Sequence, residues 1–204
     1  MARDVGVVRR IGLFGGSFDP VHNAHLALAL HAVDELALDE LRWIPVGHAW
    51  QKSRQPSAAV HREAMLRLAI ADAPRQHVER CELLRPGPSY MLDTVRTLQA
   101  GLPDATWFLV IGQDQFAGLH TWHRHTELLQ RVTLAVALRP HTVASAAADV
   151  MAAPRRDLKL PPMAVSASDI RRRVAAGLSI DGMVPAAVGH YIHEHRLYLH
   201  DTGS

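Results

Sequence analysis

Two histidines that follow a pair of glycines are the first residues of this chain whose types and spacing could do chemistry. In the segment GGSFDPVHNAH, His22 and His25 lie three positions apart, so both imidazoles face the same way on a helix that begins there. The glycine pair, Gly15 and Gly16, lets the backbone approach a ligand closely, and helix N-termini bind anions. The segment therefore predicts a phosphate site where two imidazoles stabilise developing charge, with Asp19 as an acceptor that shapes the loop.

The glycine loop differs from the two most familiar phosphate-binding signatures. It is not a GxGxxG loop, and it is not a Walker A loop because the final Gly-Lys-Ser/Thr is missing. A histidine pair with this spacing is by itself more often structural or exposed than catalytic. The glycine loop that precedes the pair favours the catalytic interpretation.

A second phosphate-binding pattern lies far along the chain, in the segment VSASDIR. Ser166 and Ser168 can donate hydrogen bonds to phosphate oxygens, and Arg171 can neutralise their charge. We expect a helix to begin here with Ser168 as its N-cap. The alternative is an ordinary capped helix with a solvated basic face, which we prefer for Arg172 and Arg173 but not for Arg171.

Three histidines in the segment HTWHRH form a competing constellation. Imidazole binds zinc, copper and nickel, so His120, His123 and His125 could ligate a metal. No cysteine or obvious carboxylate partner lies nearby, and the spacing matches no known zinc pattern. We therefore predict no metal site formed by protein side chains.

The elements that must position these residues alternate between strands and helices along the chain. Apolar runs predict strands at 7–14, 41–46, 77–83, 107–111 and 132–138, the first of them ended by the glycine pair. Helical periodicity predicts helices at 23–38, 59–73, 168–176 and 185–196, with a short one around 92–98. Region 140–162 is expected to hold one helix and one short strand. This alternation predicts an α/β protein with a Rossmann-like, open, mainly parallel sheet and helices on both faces.

Length and composition restrict the class of protein. A chain of 204 residues, 48% of them hydrophobic, predicts one domain over 1–204 with an ordered core at about 10–198. Cys81 is the only cysteine, no apolar run approaches a membrane span, and the N-terminus resembles no secretory signal, so a soluble cytoplasmic protein is expected. The 22 basic and 20 acidic side chains are interleaved, which argues only weakly for nucleic acid.

The two phosphate-binding segments resemble signatures of the nucleotidyltransferase superfamily. GGSFDPVHNAH is similar to its HxGH signature, with Ala24 in place of the glycine, and VSASDIR is similar to ISS(T/S)xIR, with Ala167 in place of a serine. Three further segments narrow the resemblance to the nicotinate-nucleotide adenylyltransferases. The first is PSYMLDT, and the second is VIGQD followed by Leu119 and Trp122. The third is a C-terminal pattern with VP at 184–185, V at 188, YI at 191–192 and LY at 197–198. The resemblance spans about residues 10–198 and implies the nucleotidyltransferase fold.

This resemblance implies roles for particular residues. The residues that would align and stabilise the reacting phosphates are His22, His25, Lys52 and Arg171. The residues that would contact ATP are Gly15, Gly16, Ser17, Phe18, Gly112, Asp114, Ser166 and Ser168. The residues that would contact the acceptor are Tyr90, Met91, Thr94 and Trp122, with the indole stacked on the pyridine ring.

The reaction implied is transfer of the adenylyl group of ATP to nicotinate mononucleotide, giving deamido-NAD and pyrophosphate. The attacking phosphate monoester has a second pKa of about 6, so it is mostly ionised at neutral pH and needs no general base. Mg²⁺ is expected with ATP, held mainly by phosphate oxygens and water. Nicotinamide mononucleotide or phosphopantetheine as acceptor, and a non-catalytic nucleotide sensor, remain alternatives. The expected partners are nucleotides, not nucleic acid or a membrane, and a homo-oligomer is left open.

Overall fold

A single parallel sheet forms the centre of the molecule. The computed structural model describes residues 8–49, 54–138, 145–161 and 163–199. The strands within these ranges are β1 (Arg10–Gly16), β2 (Glu40–Pro45), β3 (Gln76–Val78), β4 (Thr106–Gly112), β5 (Thr133–Leu138) and β6 (Arg155–Lys159). They lie in the order β3-β2-β1-β4-β5-β6, and every neighbouring pair is parallel. The predicted Rossmann-like open sheet is confirmed.

Helices connect the strands. They are α1 (Asn23–Glu35), α2 (Ala59–Ala69), α3 (Cys81–Leu84), α4 (Met91–Gly101), α5 (Gln113–Ala117), α6 (His125–Leu129), α7 (Ala148–Ala152), α8 (Ala167–Ala175) and α9 (Ala186–Glu194). A 3-10 turn at Leu119–Thr121 follows α5. Region 140–162 contains α7 and β6, which is the helix and strand expected there. In the described ranges, no helix has the length and apolar character needed to cross a membrane.

Apolar side chains cover both faces of the sheet because successive strand residues point in opposite directions. In β4, Leu109 belongs to one core cluster and Val110 to the other, and both are fully buried. The cluster of Val110 includes residues of α1, α2, α8 and α9, and the cluster of Leu109 includes residues of α4, α5 and α6. Burial on both faces explains why β4 and β5 read as continuous apolar runs, whereas the edge strands β3 and β6 are more polar.

Two predicted strands have different boundaries in the structure. β1 extends two residues beyond its predicted end at Phe14, because Gly15 and Gly16 continue its parallel pairing opposite Ile44 and Pro45 and are its last residues. The strand predicted at 77–83 stops at Val78, and Cys81–Leu84 is helical instead. The Glu79 side chain accepts a hydrogen bond from the Cys81 amide at 3.0 Å, a local contact that favours a turn over an extended chain.

Candidate active site

The predicted site lies where β1 and β4, the two central strands, end. Phe14 pairs with Val110, so the two strands reach the same edge of the sheet. The helices that follow them diverge, since α1 packs in one core cluster and α5 in the other. Divergence of this kind opens a crevice at the carboxyl edge of the sheet, the usual ligand site of such folds.

The two histidines predicted to be catalytic are in contact at the start of α1. His22 is the N-cap of this helix, and His25 stacks on it with ring centroids 3.6 Å apart and ring planes at 21°. The His22 backbone N–H donates to Nδ1 of His25 at 3.2 Å. Because Nδ1 accepts this bond, the proton of a neutral His25 ring is on Nε2. The helix start thus fixes which nitrogen of His25 can donate to a ligand.

His22 differs from His25 in its surroundings. It is 7% exposed, and desolvation by burial lowers its pKa from 6.5 to about 4. The imidazole is therefore neutral at neutral pH. Its Nδ1 atom is buried and has no hydrogen-bond partner within the ranges that the structure describes. Buried polar atoms are normally paired, so an unpaired buried nitrogen is unusual.

Asp19 connects the loop after β1 to two distant segments of the chain. Its carboxylate is 2% exposed and accepts hydrogen bonds from Tyr198 Oη at 2.7 Å, Arg54 Nη1 at 2.8 Å and the Ser57 amide at 3.0 Å. Burial raises the pKa of Asp19, but these hydrogen bonds outweigh burial and the pKa lies below its ordinary value. Asp19 therefore stays anionic, and its predicted role as a loop-shaping acceptor agrees with these contacts.

A buried arginine holds the same loop from the other side. Arg62 on α2 is 2% exposed and donates to the carbonyl oxygens of Ser57 at 2.8 Å, Ser17 at 3.0 Å and Val46 at 2.8 Å. Desolvation lowers its pKa, while the nearby Asp19 charge opposes that shift. One guanidinium thus joins the loops that follow β1 and β2 to α2.

A cavity that we call the central cleft contains most of the predicted phosphate-binding residues. Its volume of about 560 Å³ is typical of a small-molecule site. The predicted site residues that line it are Gly15, Gly16, Ser17, Phe18, His22, His25, Gly112 and Arg171. Arg54, which the sequence did not single out, also lines this cleft.

The inner pocket adjoins the central cleft and shares Gly15, Gly16 and Ser17 with it. Its other walls include Tyr90, Met91 and Trp122, three of the four residues predicted to contact the acceptor. A Cβ atom on Gly15 would lie 2.5 Å from Cε of Met91, so a side chain there would collide with Met91 unless Met91 moved. The close packing of two pocket walls therefore depends on the glycine.

The fourth predicted acceptor residue, Thr94, lies behind the inner pocket. It is fully buried, and its hydroxyl donates to Oε1 of Glu82 at 2.7 Å. Glu82 lines the pocket, is 3% exposed, and has a pKa raised by burial. Thr94, predicted to line the acceptor site, does not line the pocket itself; its buried hydroxyl contacts two residues that do, Glu82 and the Tyr90 carbonyl oxygen.

The outer pocket also adjoins the central cleft and shares His22, His25 and Gly112 with it. Asp114 lines it at the start of α5. Its remaining walls are mainly apolar and include Leu28, Ala137, Leu138, Leu160 and Val165. An apolar slot with one carboxylate at its rim suits a flat heterocycle attached to a sugar.

The second phosphate-binding segment forms the start of α8. Ser166, not Ser168, is the N-cap, because its extended backbone lets its Oγ accept from the Asp169 amide at 3.2 Å. The prediction of Ser168 as the cap was wrong by two residues. The two serine hydroxyls lie 3.2 Å apart and are exposed. Ala167 and Arg171 are the residues by which this segment lines the central cleft.

Lys52, predicted to reach the phosphates, lies outside the described residues. The three histidines of the competing constellation have separate contacts. His123 stacks on Tyr90 at 4.1 Å in the inner pocket, His125 Nε2 lies 2.7 Å from Asp149, and His120 Nδ1 lies 3.2 Å from a carbonyl oxygen. The described ranges contain no group of three side chains that could hold a metal ion.

Four residues that shape the site were not predicted from the sequence: Arg54, Arg62, Glu82 and Tyr198. An arginine on α2 resembles an ordinary solvated helix residue, so periodicity could not identify Arg62. Tyr198 belongs to the C-terminal LY pattern, which suggested family membership but no role. Each of these residues acts through a partner that is distant in the sequence.

The fold and the cleft define a phosphate-handling α/β enzyme of the nucleotidyltransferase class. Residues 13–173 match the cytidylyltransferase-like family model. The chain belongs to this family and, within it, to the nicotinate-nucleotide adenylyltransferases. The resemblance inferred from the motifs is confirmed.

Curated relatives match over nearly the whole chain. A protein from Methylibium petroleiphilum, named probable nicotinate-nucleotide adenylyltransferase, is 49% identical over 201 residues, 96% of this chain and 95% of that one. A protein of the same name from Bordetella petrii is 48% identical over 197 residues, 94% of this chain and 100% of that one. The fold is also that of Plasmodium falciparum nicotinic acid mononucleotide adenylyltransferase in complex with NaAD, with a TM-score of 0.79 and 16% identity, covering 93% of this chain and 97% of that one.

Proposed function

We propose that this chain transfers the adenylyl group of ATP to nicotinate mononucleotide, releasing pyrophosphate and forming deamido-NAD. The observation that carries the proposal is the stacked pair His22 and His25 on a cleft that Arg54 and Arg171 also line. Two pockets of different character adjoin that cleft. The names of relatives that are nearly half identical support the same reaction.

The pockets suggest where each part of the substrates binds. The adenine would enter the outer pocket, with Asp114 beside a ribose hydroxyl, and the triphosphate would lie in the central cleft. The pyridine ring would enter the inner pocket against the indole of Trp122, with Tyr90 and Met91 on its other walls. In this arrangement the α-phosphate of ATP and the 5′-phosphate of the mononucleotide would lie next to each other beside the histidines.

The chemistry requires alignment and charge stabilisation rather than a base. A 5′-phosphate oxygen of the mononucleotide attacks the α-phosphorus, and the bond to the bridging oxygen breaks with its electron pair leaving on pyrophosphate. His25 donates through Nε2, His22 offers a neutral imidazole, and the two arginines neutralise the departing charge. Holding two polyanions in line supplies much of the rate acceleration.

Mg²⁺ fits this site as a companion of ATP rather than as a resident ion. The polar side chains that line the cleft are mainly donors and cations, and the carboxylate of Asp19 is occupied by three hydrogen bonds. The ion would therefore be held by phosphate oxygens and water, the usual arrangement for Mg²⁺ with a nucleotide. When bound, it would neutralise charge on the phosphates that leave.

We also infer that the described part of the chain works as one domain in the cytoplasm. The two core clusters share one sheet, which supports a single folding unit. A lone cysteine supports a reducing compartment.

The test is pyrophosphate release by the purified protein with ATP and each of nicotinate mononucleotide, nicotinamide mononucleotide and phosphopantetheine. Each reaction is run with Mg²⁺ and with a chelator in excess. We expect the highest kcat/KM with nicotinate mononucleotide and loss of turnover without the ion. Preference for another acceptor would reassign the substrate, and binding of ATP without turnover on any acceptor would indicate a sensor.

A further inference from the structure

We propose that Tyr198, near the C-terminal end of the described chain, is a positioning residue for the phosphate-binding arginines. It holds Asp19, and Asp19 in turn holds Arg54 and Arg171 at the central cleft. The inference rests on the proposed function, because it assigns these arginines to the phosphates of ATP.

The first link is the contact between Tyr198 and Asp19. The phenol donates to Oδ1 of Asp19 at 2.7 Å, and the two side chains are 8% and 2% exposed. The chain reaches this position after α9 through two residues with left-handed backbones, Arg196 with φ of 50° and Tyr198 with φ of 66°. Such conformations are costly for residues other than glycine, and they persist where surrounding contacts demand them.

The second link is the contact of Asp19 with both arginines. Oδ2 of Asp19 accepts from Nη1 of Arg54 at 2.8 Å, and its carbonyl oxygen accepts from Nη1 of Arg171 at 2.8 Å. Both arginines line the central cleft, although one precedes α2 and the other lies in α8. One buried residue therefore contacts two cations of the cleft, Arg54 through its carboxylate and Arg171 through its main-chain carbonyl.

The two substrates would contact different groups of residues. The arginines face the central cleft, where the polyphosphate would lie, whereas Tyr90, Met91 and Trp122 line the inner pocket for the acceptor. A displacement of about 1 Å at a reacting centre can cost on the order of 100-fold in rate. Loosening Asp19 should therefore weaken the use of ATP and leave acceptor binding nearly unchanged.

The test compares Tyr198→Phe with Tyr191→Phe. Both substitutions remove one hydroxyl and keep the ring, and the Tyr191 hydroxyl lies 3.0 Å from Nδ1 of His61, between α9 and α2 and away from the cleft. We expect Tyr198→Phe to raise the KM for ATP about tenfold and to raise the Kd for inorganic triphosphate by a similar factor. The KM for the acceptor should stay within about twofold of the wild-type value. Tyr191→Phe should change none of these values.

A double substitution tests the route through Asp19. In the Arg54→Ala background, Tyr198→Phe should raise the KM for ATP by clearly less than it does in the wild type, because part of its effect passes through Arg54. The positioning role would be overturned if Tyr198→Phe raised the KM for ATP and the KM for the acceptor equally. It would also be overturned if Tyr198→Phe and Tyr191→Phe had the same effects. A wild-type protein without turnover on any acceptor would instead overturn the proposed function.

Discussion

His22 and His25 show how two identical side chains three positions apart acquire different properties. His22 caps α1 and is buried, so its ring is neutral at neutral pH and Nδ1 is left without a partner within the described ranges. His25 accepts from the His22 backbone through Nδ1, which leaves the hydrogen of a neutral His25 ring on Nε2. The sequence gives the spacing of the two histidines directly, whereas the protonation state of each ring depends on burial and hydrogen bonding.

Replacing His25 with alanine should depress turnover far more than folding. We expect kcat to fall by about 100- to 1,000-fold, as when an oxyanion donor is removed, with the free energy of unfolding lowered by no more than about 1 kcal/mol. Steady-state kinetics and urea unfolding measure the two effects. His190→Ala, at an exposed position of α9, is the matched control and should change neither. Near-normal turnover of His25→Ala would contradict the assignment.

The low pKa of His22 makes stability depend on pH. Because the folded value of about 4 lies below the ordinary value of 6.5, the unfolded chain binds more protons between these pH values. The free energy of unfolding should therefore fall as the pH falls through that window, by up to about 3 kcal/mol from this residue. Urea unfolding at pH 7 and pH 4.5 should show a smaller loss for His22→Gln than for wild type. Equal losses would show that His22 is not responsible.

At the scale of secondary structure, α8 matters because it carries Arg171 to the cleft. Its start could be placed to within about one residue from the sequence, but the choice between two serines as cap could not be made. Ser166 has the extended backbone that a cap requires, and Ser168 already lies inside the helix. Two neighbouring hydroxyls look alike until the backbone dihedrals are known.

Ser166→Ala should lower the free energy of unfolding by about 1 kcal/mol, because the Asp169 amide loses its acceptor. Ser168→Ala provides the control and should cost less than about 0.5 kcal/mol. Urea unfolding of both variants measures the difference. A larger cost for Ser168→Ala would mean that the helix begins later than the structure shows.

The whole molecule depends on one sheet with a core on each face. Trp43 belongs to the cluster that includes α1 and α2, and Trp107 belongs to the cluster that includes α4 and α6. Both side chains are almost fully buried. Strands shared between the clusters should make the two faces unfold together.

Variants that retain only Trp43 or only Trp107, with the other tryptophans replaced by phenylalanine, should each unfold in one transition. In urea, the fluorescence transition of each variant should coincide with its own far-UV circular dichroism transition, as two-state unfolding requires. A saturating ATP concentration of 100 times Kd should raise the free energy of unfolding by about 2.7 kcal/mol and shift both transitions equally. Fluorescence transitions that separate from the dichroism signal would contradict a single domain.

The sequence by itself determined the α/β class, the strand and helix types of most segments and the family, and it predicted two phosphate-binding segments. These features depend on periodicity and on spacings of a few residues, which local chain geometry converts directly into a face or a helix terminus. Only the tertiary structure decided that Thr94 supports Glu82 and that Asp19 joins Tyr198 to the arginines. The partners of Asp19 include Arg171 and Tyr198, which are 152 and 179 positions away. Contacts over such separations arise from the packing of the sheet and its helices, and no local spacing encodes them.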